Sequence, residues 1–197
     1  MSIIFGMRRE EVLGLRWIDI DLINKTLKIH HTVTVGTEVN RLNTTKTRAS
    51  KRDYPLTDEQ VRIFQKVKKQ EQENRRLFGK TYQENNYVFK HPDGSLYYPD
   101  YPSKAFKKII KANPDLPQGI TFHGLRSSCV SILVHKGVDV KTIQKWVGHA
   151  DINTTLKIYA KVKDNDAKKQ ASESMDDLFL PEDEDESNNE TSIPSSN

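Results

Sequence analysis

The chain has 197 residues, 35% hydrophobic and 29% charged, which is enough for one globular domain with its own core but short for two. No apolar run approaches the roughly 18 to 20 residues that span a bilayer, and no signal peptide is readable, so the chain is expected to be soluble and cytoplasmic. The single cysteine, Cys129, excludes an internal disulfide and fits a reducing cytosol.

Charge is distributed unevenly along the chain. The formal net charge is +4, but residues 170–197 contain no lysine or arginine and nine of the 27 acidic residues. The remaining 169 residues carry 31 basic and 18 acidic groups, a net charge of +13. A field of that sign concentrates polyanions, and nucleic acid is the usual partner, although a role in solubility alone stays open. We expect a basic domain over residues 1–175 and an acidic, largely disordered tail over residues 176–197.

The first part of the chain predicts one helix and a small sheet. Residues 8–17 place Val12, Leu13 and Leu15 near one stripe, the period of an amphipathic helix, with no room for an element before it. β-branched and alternating residues predict three strands, over residues 26–35, 37–42 and 51–56. Together these strands predict a three-stranded antiparallel sheet.

The rest of the chain predicts helices. Thr57 and Asp58 offer an N-cap for a charged helix that runs to about Phe78. Further helices are predicted over residues 99–112, 122–136 and 138–147, with Gly137 and Gly148 ending the last two. A short helix is expected to begin at Asn153 and to carry Tyr159. The predicted fold class is therefore α+β, a mostly helical domain with one small three-stranded antiparallel sheet.

The residues that could take part in catalysis or anion binding lie in five short motifs. These are GMRREE at 6–11, TKTRASKRDYPL at 45–56, HGLR at 123–126, GH at 148–149 and the lone Tyr159. On a helix, His123 and Arg126 lie three residues apart and share one face, where both could meet one anion. Taken alone, each motif has an ordinary reading, with His123 as a cap, His149 as a turn residue and Tyr159 as a packing aromatic. The occurrence of all five motifs in this order favours a catalytic site over these ordinary readings.

The ordered set of motifs resembles the tyrosine recombinase family, the phage and transposon integrases, from about residue 6 to residue 159. The resemblance implies site-specific DNA recombination by strand cleavage and rejoining through a 3′-phosphotyrosine intermediate. It implies that the catalytic residues are Arg8, Lys46, His123, Arg126, His149 and Tyr159, with Glu11 as the supporting carboxylate of Arg8. Gly124 and Ser127 stand where many members of that family have Asp and a second His.

The residue types suit the cleavage of a phosphodiester without metal or water. The guanidinium forks of Arg8 and Arg126 match the phosphoryl oxygens and strengthen as charge develops. Tyr159 is the expected nucleophile, and His123 is its candidate base because a phenol with a pKa of about 10 reacts poorly at neutral pH. The other six tyrosines, Tyr54 among them, are assigned to packing or backbone contacts.

The predicted hairpin turn has two readings. In one, Lys46 closes over the phosphate as general acid toward the leaving oxygen, while His149 holds a non-bridging oxygen. In the other, Lys46 joins Arg48, Lys51 and Arg52 in a nonspecific grip on DNA phosphates. Both readings place these three neighbours of Lys46 among the DNA-binding residues.

The implied partners are double-stranded DNA and other recombinase protomers in a tetrameric synapse. No cofactor and no metal is expected, because the sequence has no Cys/His cluster with metal-ligand spacing and no glycine-rich phosphate loop. Two alternatives stay open at this point. One is a non-catalytic DNA-binding remnant of an integrase, and the other is a type IB topoisomerase, which resembles this family in chemistry.

Members of the resembled family usually carry a leading helix and a separate helical DNA-binding domain before the first motif. Here the sequence begins within a few residues of Arg8, so we expect both to be missing. Loss of that packing partner predicts exposure of some of Val12, Leu13 and Leu15. It also predicts at most weak cleavage and no complete recombination by this chain alone.

Overall fold

The computed structural model describes residues 1–35, 39–42 and 51–176. The helices are α1 (Ser2–Phe5), α2 (Arg9–Gly14), α3 (Asp58–Phe78), α4 (Tyr101–Ala112), α5 (Gly124–His135), α6 (Val140–Val147) and α7 (Ile152–Asp176). The strands are β1 (Ile20–Asp21), β2 (Thr26–Ile29), β3 (Thr32–Val35), β4 (Val39–Leu42) and β5 (Arg52–Pro55). The chain divides into one compact unit, Met1–Val162, and a second unit that begins at Lys163.

The α+β class with a small three-stranded antiparallel sheet is confirmed, but the strands of that sheet are not the predicted three. Strand β2 is central and pairs antiparallel with β1 and β5. The predicted strand over residues 26–35 breaks at His30 and His31, and its second half, β3, pairs with β4 in a separate two-stranded sheet. Helix α2 packs closely against the backbone at this break: a Cβ added to Gly14 would lie 2.4 Å from the carbonyl oxygen of His31.

The predicted first helix is shorter than expected and is not the first element. Helix α1 precedes it, and a 3-10 turn, Trp17–Asp19, follows it. The predicted exposure of its apolar residues is wrong, since Val12, Leu13 and Leu15 are all buried. Helix α1 packs against α5 and places Phe5 in the core, which helps to cover this region.

Helix ends follow the sequence signals closely where those signals are local. Thr57 caps α3 in a capping box with Gln60, and Gly148 ends α6 in the left-handed region with φ 69°. Asp139, which the sequence reading did not single out, caps α6 through the backbone amides that follow it. The predicted short last helix is wrong in length, because α7 spans 25 residues.

Two apolar clusters stabilise the first unit. One joins α1, α2, the three-stranded sheet and α3; among its members are Phe5, Met7, Val12, Leu15, Leu27, Ile29, Tyr54, Val61 and Phe64. The other joins α5, α6 and α7 through Cys129, Val130, Val134, Ile143, Val147 and Val162. Trp146 packs against both clusters, and Cys129 is buried as predicted, with the pKa of its thiol raised by that burial.

The described part of the second unit, residues 163–176, is helical and exposed on most sides. Its ion pairs follow helical spacing, with Lys168 2.7 Å from Asp164 and Lys169 3.6 Å from Glu173. The predicted acidic tail lies, beyond residue 176, outside the described residues. Within the residues that the structure describes, the helices are too short or too polar to cross a bilayer.

Candidate active site

Glu11 lies at the centre of a group of arginines. Helix α2 begins just after Arg8, which places the Glu11 side chain in the first turn, where it reaches back to Arg8. One carboxylate oxygen accepts the Arg8 backbone N–H at 2.8 Å, and the other accepts Arg8 Nη1 at 2.9 Å. The Glu11 side chain is 1% exposed, so this ion pair is shielded from water on the carboxylate side.

Arg52 provides a second guanidinium to the same carboxylate. Its Nη1 and Nη2 donate to the two Glu11 oxygens at 3.2 and 2.9 Å, and its Nε donates to the Tyr54 hydroxyl at 2.7 Å. The Arg52 side chain is only 4% exposed. Arg52 is thus held by partners within the protein, and its expected grip on DNA phosphates stays a prediction. Along β5, Arg52 and Tyr54 share the buried face, while Asp53 points to solvent.

The charges in this group support one another. Burial alone would raise the pKa of Glu11, but the hydrogen bonds and charge of Arg52, followed by those of Arg8, lower it on balance below its ordinary value. Burial likewise raises the pKa of Tyr54, which Arg52 partly offsets. Glu11 is therefore an anion at neutral pH, and Arg8 and Arg52 share it as their counterion.

Arg126 lies in α5 with a very different set of partners. Its Nη1 donates to the carbonyl oxygen of Gly6, and its Nε donates to His149 Nε2 at 3.3 Å. The residue is 3% exposed, and its Nη2 has no hydrogen-bond partner among the residues that the structure describes. Gly6 presents its carbonyl from φ 59°, where a Cβ would lie 2.5 Å from Val147 Cγ1, so a larger residue does not fit.

The Arg126 cation is held at an electrostatic disadvantage. Burial, and then the like charge of Arg8, lowers the pKa of Arg126 to about 10, with Glu11 giving only partial compensation. The guanidinium still carries its charge at neutral pH. A buried cation with one free N–H edge and no carboxylate of its own is a site that favours an incoming anion.

His149 follows the glycine that ends α6 and is buried. Because its Nε2 accepts the Arg126 N–H, the proton of the neutral ring lies on Nδ1, which donates to Thr155 Oγ1 at 2.9 Å. Burial, followed by the charges of Arg126 and Arg8, lowers the pKa of His149 to about 4. His149 is therefore neutral at pH 7 and has both ring nitrogens engaged within the protein.

Thr155 was not identified from the sequence. It is fully buried in the first turn of α7, although threonine is usually exposed. The available signal was its spacing, because it lies four residues before Tyr159 and so shares a helical face with it.

Arg8 links the two halves of the site. Its Nη2 donates to the carbonyl oxygen of Gly148 at 3.1 Å, which joins the start of α2 to the end of α6. The structure thus brings together Arg8, Arg126 and His149, which are as much as 141 positions apart in the sequence. Beside them is an open cavity of about 510 Å³ lined by Lys51, Arg52, Asp53, Gln144, Lys145, Gly148, His149 and Ala150. Lys51 is exposed there, which leaves its ammonium group accessible to a polyanion.

Other expected site residues are not in contact with this group. Tyr159 is half-buried on α7 against the second apolar cluster, and within the described part of the chain its hydroxyl has no hydrogen-bond partner. His123 is exposed just before α5, close enough to His149 to contribute to the lowering of its pKa. Lys46 and Arg48 lie outside the described residues.

The arrangement is suited to binding an oxyanion. Three guanidinium groups surround a single carboxylate, so the cluster of Arg8, Arg52, Arg126 and Glu11 has an excess of two positive charges. A phosphate bound at the free edge of Arg126 would reduce this excess. Among the described residues, no group of three or more His, Cys, Asp and Glu side chains is arranged to hold a metal ion.

Comparison with known proteins gives consistent relatives. The chain is 28% identical over 179 residues to the ICEBs1 integrase of Bacillus subtilis, covering 91% of this chain and 48% of that protein. It is 32% identical over 164 residues to the integrase of Staphylococcus phage L54a, covering 80% and 45%. Among solved structures, the Tn1549 transposon integrase in complex with transposon right end DNA superposes with a TM-score of 0.67 at 23% identity, covering 86% of this chain and 56% of that one.

A second solved structure, the XerA recombinase, superposes with a TM-score of 0.61 at 19% identity and covers 92% of this chain and 56% of its own. These structural likenesses concern the fold. The chain spans about half the length of the curated relatives it matches. A model of the phage integrase family matches residues 2–166, which is most of the chain. The chain therefore belongs to the phage integrase family, the tyrosine recombinases.

Proposed function

We propose that this chain acts in site-specific DNA recombination, cleaving and rejoining strands through a 3′-phosphotyrosine intermediate on Tyr159. The observation that carries the proposal is the unpartnered Nη2 of the buried Arg126, close to the second cation, Arg8. Family membership and relatives named integrases support it. A solved relative is bound to transposon DNA, which supports double-stranded DNA as the partner here.

The reaction is a phosphoryl transfer. The Tyr159 oxygen forms a bond to phosphorus at the scissile phosphate, and the bond from phosphorus to the 5′-oxygen breaks. The leaving 5′-oxygen takes a proton, for which Lys46 is the proposed donor. Attack by a 5′-hydroxyl on the phosphotyrosine reverses these steps and joins a new strand. The phosphodiester bond energy is conserved, so no external energy source is required.

Arg8 and Arg126 stabilise the charge that develops on the non-bridging oxygens. Each guanidinium presents N–H donors in a plane, and both are oriented by the protein before DNA arrives. His123 is the proposed base for Tyr159. His149 acts chiefly by holding Arg126 through Nε2, since its lowered pKa makes it a neutral acceptor.

DNA binding is proposed along the cavity next to His149, where Lys51 is exposed. The basic domain supports this placement, because phosphate contacts by lysine and arginine dominate affinity for DNA. Complete recombination needs two cleaved duplexes held together. We propose that four protomers form the synapse in which strands are exchanged.

The test is capture of the covalent intermediate. A randomised library of nicked duplexes is incubated with the protein, and complexes that survive detergent are recovered and sequenced. Loss of the short fragment beyond the nick prevents rejoining, so the adduct accumulates. Tyr159→Phe should form no adduct while retaining its affinity for the selected duplex, because only the hydroxyl is removed. Tyr98→Phe, at a residue that is 57% exposed, is the control and should form adduct at the parental rate.

The alternatives give different results. A DNA-binding remnant would retain duplex without forming any adduct in the parental chain. A type IB topoisomerase would relax supercoiled plasmid that lacks the selected sequence. An adduct that persists in Tyr159→Phe would show that another residue is the nucleophile.

A further inference from the structure

We propose that Arg52 is a positioning residue that fixes the Glu11 carboxylate, and through it orients the guanidinium of Arg8 toward the scissile phosphate. This inference rests on the proposed function, since it assigns a part of the same reaction. It replaces the expectation that Arg52 contacts DNA directly. The Arg52 side chain is 4% exposed, and its three donor nitrogens already have partners within the protein.

The first argument is the way in which Glu11 is held. Its Oε1 accepts Nη1 of Arg8 and Nη1 of Arg52, and its Oε2 accepts the Arg8 backbone N–H and Nη2 of Arg52. Each oxygen therefore has two donors, which fixes the rotation of the carboxylate. With the carboxylate fixed, Arg8 has one anchored nitrogen at Glu11 and one at the carbonyl oxygen of Gly148. These two anchors fix the direction in which the Arg8 guanidinium faces a substrate.

The second argument is that Arg52 is itself held rigidly. Its Nε donates to the Tyr54 hydroxyl, and that hydroxyl lies within hydrogen-bond distance of the carbonyl oxygens of Phe5 and Trp146. The Tyr54 ring packs against both residues, with ring centroids 5.0 Å from Phe5 and 4.7 Å from Trp146. The Tyr54 side chain thus connects strand β5 to α1 and α6, on the same face of the strand as Arg52. A mobile surface arginine would not have such support.

The third argument concerns charge. The ionisable groups that face or surround Glu11 are Arg8, Arg52, Tyr54 and Arg126 and, around a small gap beside it, Asp19, Lys28, His30 and His31. Of these, Arg52 contributes most to keeping the pKa of Glu11 low against the effect of burial. Without Arg52, burial is opposed by fewer favourable interactions, so the pKa of Glu11 rises. A protonated Glu11 holds Arg8 less firmly.

The experiment compares pH profiles of single-turnover cleavage on the selected nicked duplex. Arg52→Gln should reduce cleavage by about 10- to 100-fold at a pH near 6, the range seen when supporting partners of site residues are removed. The loss should shrink to a few-fold at a pH near 8.5, because Glu11 regains its charge. Arg52→Lys, which keeps one positive charge, should lie between parent and Arg52→Gln at the lower pH.

Two further variants separate positioning from general damage. In Arg52→Gln combined with Glu11→Gln, the recovery at high pH should disappear, because the group that titrates is gone. Arg62→Gln is the control, since it removes an exposed ion pair with Glu59 on helix α3. It should leave the pH profile unchanged. An Arg52→Gln loss that is equal at every pH would overturn the proposal and leave Arg52 a merely structural residue.

A measurement without DNA keeps this proposal distinct from the proposed function. Carbon-13 NMR of the side-chain carboxyl of Glu11, assigned with Glu11→Gln, should show titration at a higher pH in Arg52→Gln than in the parent. An unchanged titration would overturn the proposal. A parent that forms no adduct contradicts the proposed function, and the NMR titration then still decides whether Arg52 holds Glu11 ionised. If circular dichroism shows that Arg52→Gln is unfolded, Arg52→Lys replaces it in both measurements, with the same decisive outcomes.

Discussion

The two arginines of the site differ in how their charge is balanced. Arg8 is paired with Glu11, a fully buried carboxylate that it shares with Arg52. Arg126 has only neutral partners, the carbonyl oxygen of Gly6 and the imidazole of His149, and one of its nitrogens has no partner in the described part of the chain. Arg8 therefore has a carboxylate partner within the protein, and Arg126 has none among the described residues.

This difference separates two physical tasks. A buried ion pair with every lone pair occupied fixes geometry, and its loss leaves an uncompensated charge. A buried cation without a counterion stores an unfavourable interaction that an arriving anion relieves. The lowered pKa of Arg126, caused by burial and by Arg8, is the sign of that stored cost. We infer that the Arg8 side sets the frame of the site and that the Arg126 side supplies the free donor edge for the phosphate.

The largest expected effect comes from removing the unbalanced cation. Arg126→Met should lower single-turnover cleavage by about 100- to 1,000-fold, the usual loss for one preorganised donor at an oxyanion. Its free energy of unfolding, measured in urea, should change by less than about 2 kcal/mol, since lost hydrogen bonds are offset by relief of charge burial. Arg62→Met, at a surface arginine that pairs with Glu59, is the control and should change neither quantity. Loss of stability without loss of cleavage would reverse the assigned roles.

A smaller effect is expected from the residue that fixes the orientation of His149. Thr155→Val keeps the shape of the side chain but leaves the Nδ1–H of His149 without an acceptor, which should cost about 2 kcal/mol in unfolding free energy. Cleavage should fall by about 10-fold, because the His149 ring is no longer fixed in the tautomer whose Nε2 accepts a hydrogen bond from Arg126. Thr155→Ser retains the hydroxyl and should stay close to the parent in both unfolding free energy and cleavage rate. Equal behaviour of the two variants would contradict the role of the hydroxyl.

The smallest effect is a dependence of stability on pH. The pKa of His149 is lowered to about 4 in the folded state, below its unfolded value near 6.5, so the unfolded chain binds the extra proton first. The contribution of His149 is complete above that unfolded value and is lost as pH falls toward 4. The expected loss between pH 7 and pH 5 is about 1 to 2 kcal/mol. Urea titrations of the parent and of His149→Gln measure it, and an identical pH slope in both would show that other groups are responsible.

The sequence was most informative where the signals are local. The capping pair at Thr57 and the glycine at Gly148 predicted where helices begin and end, because the hydrogen bonds involved span only a few residues. The strand over residues 26–35 was predicted as one element because its composition is uniform. Its division at His30 and His31 depends on which distant strands pair with each half, and composition does not report that.

The site shows the same limit. The resemblance placed Arg8, Arg126 and His149 in one site, and the structure brings these three together. The roles of the expected catalytic residues stay predictions. The burial of Arg52 was readable in part, since it alternates with Tyr54 and Leu56 on one face of a strand. Its pairing with Glu11, 41 residues away, could not be predicted, because it depends on the tertiary fold that brings α2 and β5 together.

The central claim is that a DNA phosphate takes the position left open at Arg126. The most direct measurement is a crystal structure of Tyr159→Phe bound to the selected duplex, since this variant holds an uncut strand. We expect a non-bridging phosphate oxygen about 2.7 to 2.9 Å from Nη2 of Arg126, the length of a charge-assisted hydrogen bond, with the bonds to Gly6 and His149 retained. A structure in which the nearest phosphate binds at Arg52, or in which Nη2 of Arg126 is satisfied by a protein group, would contradict the account.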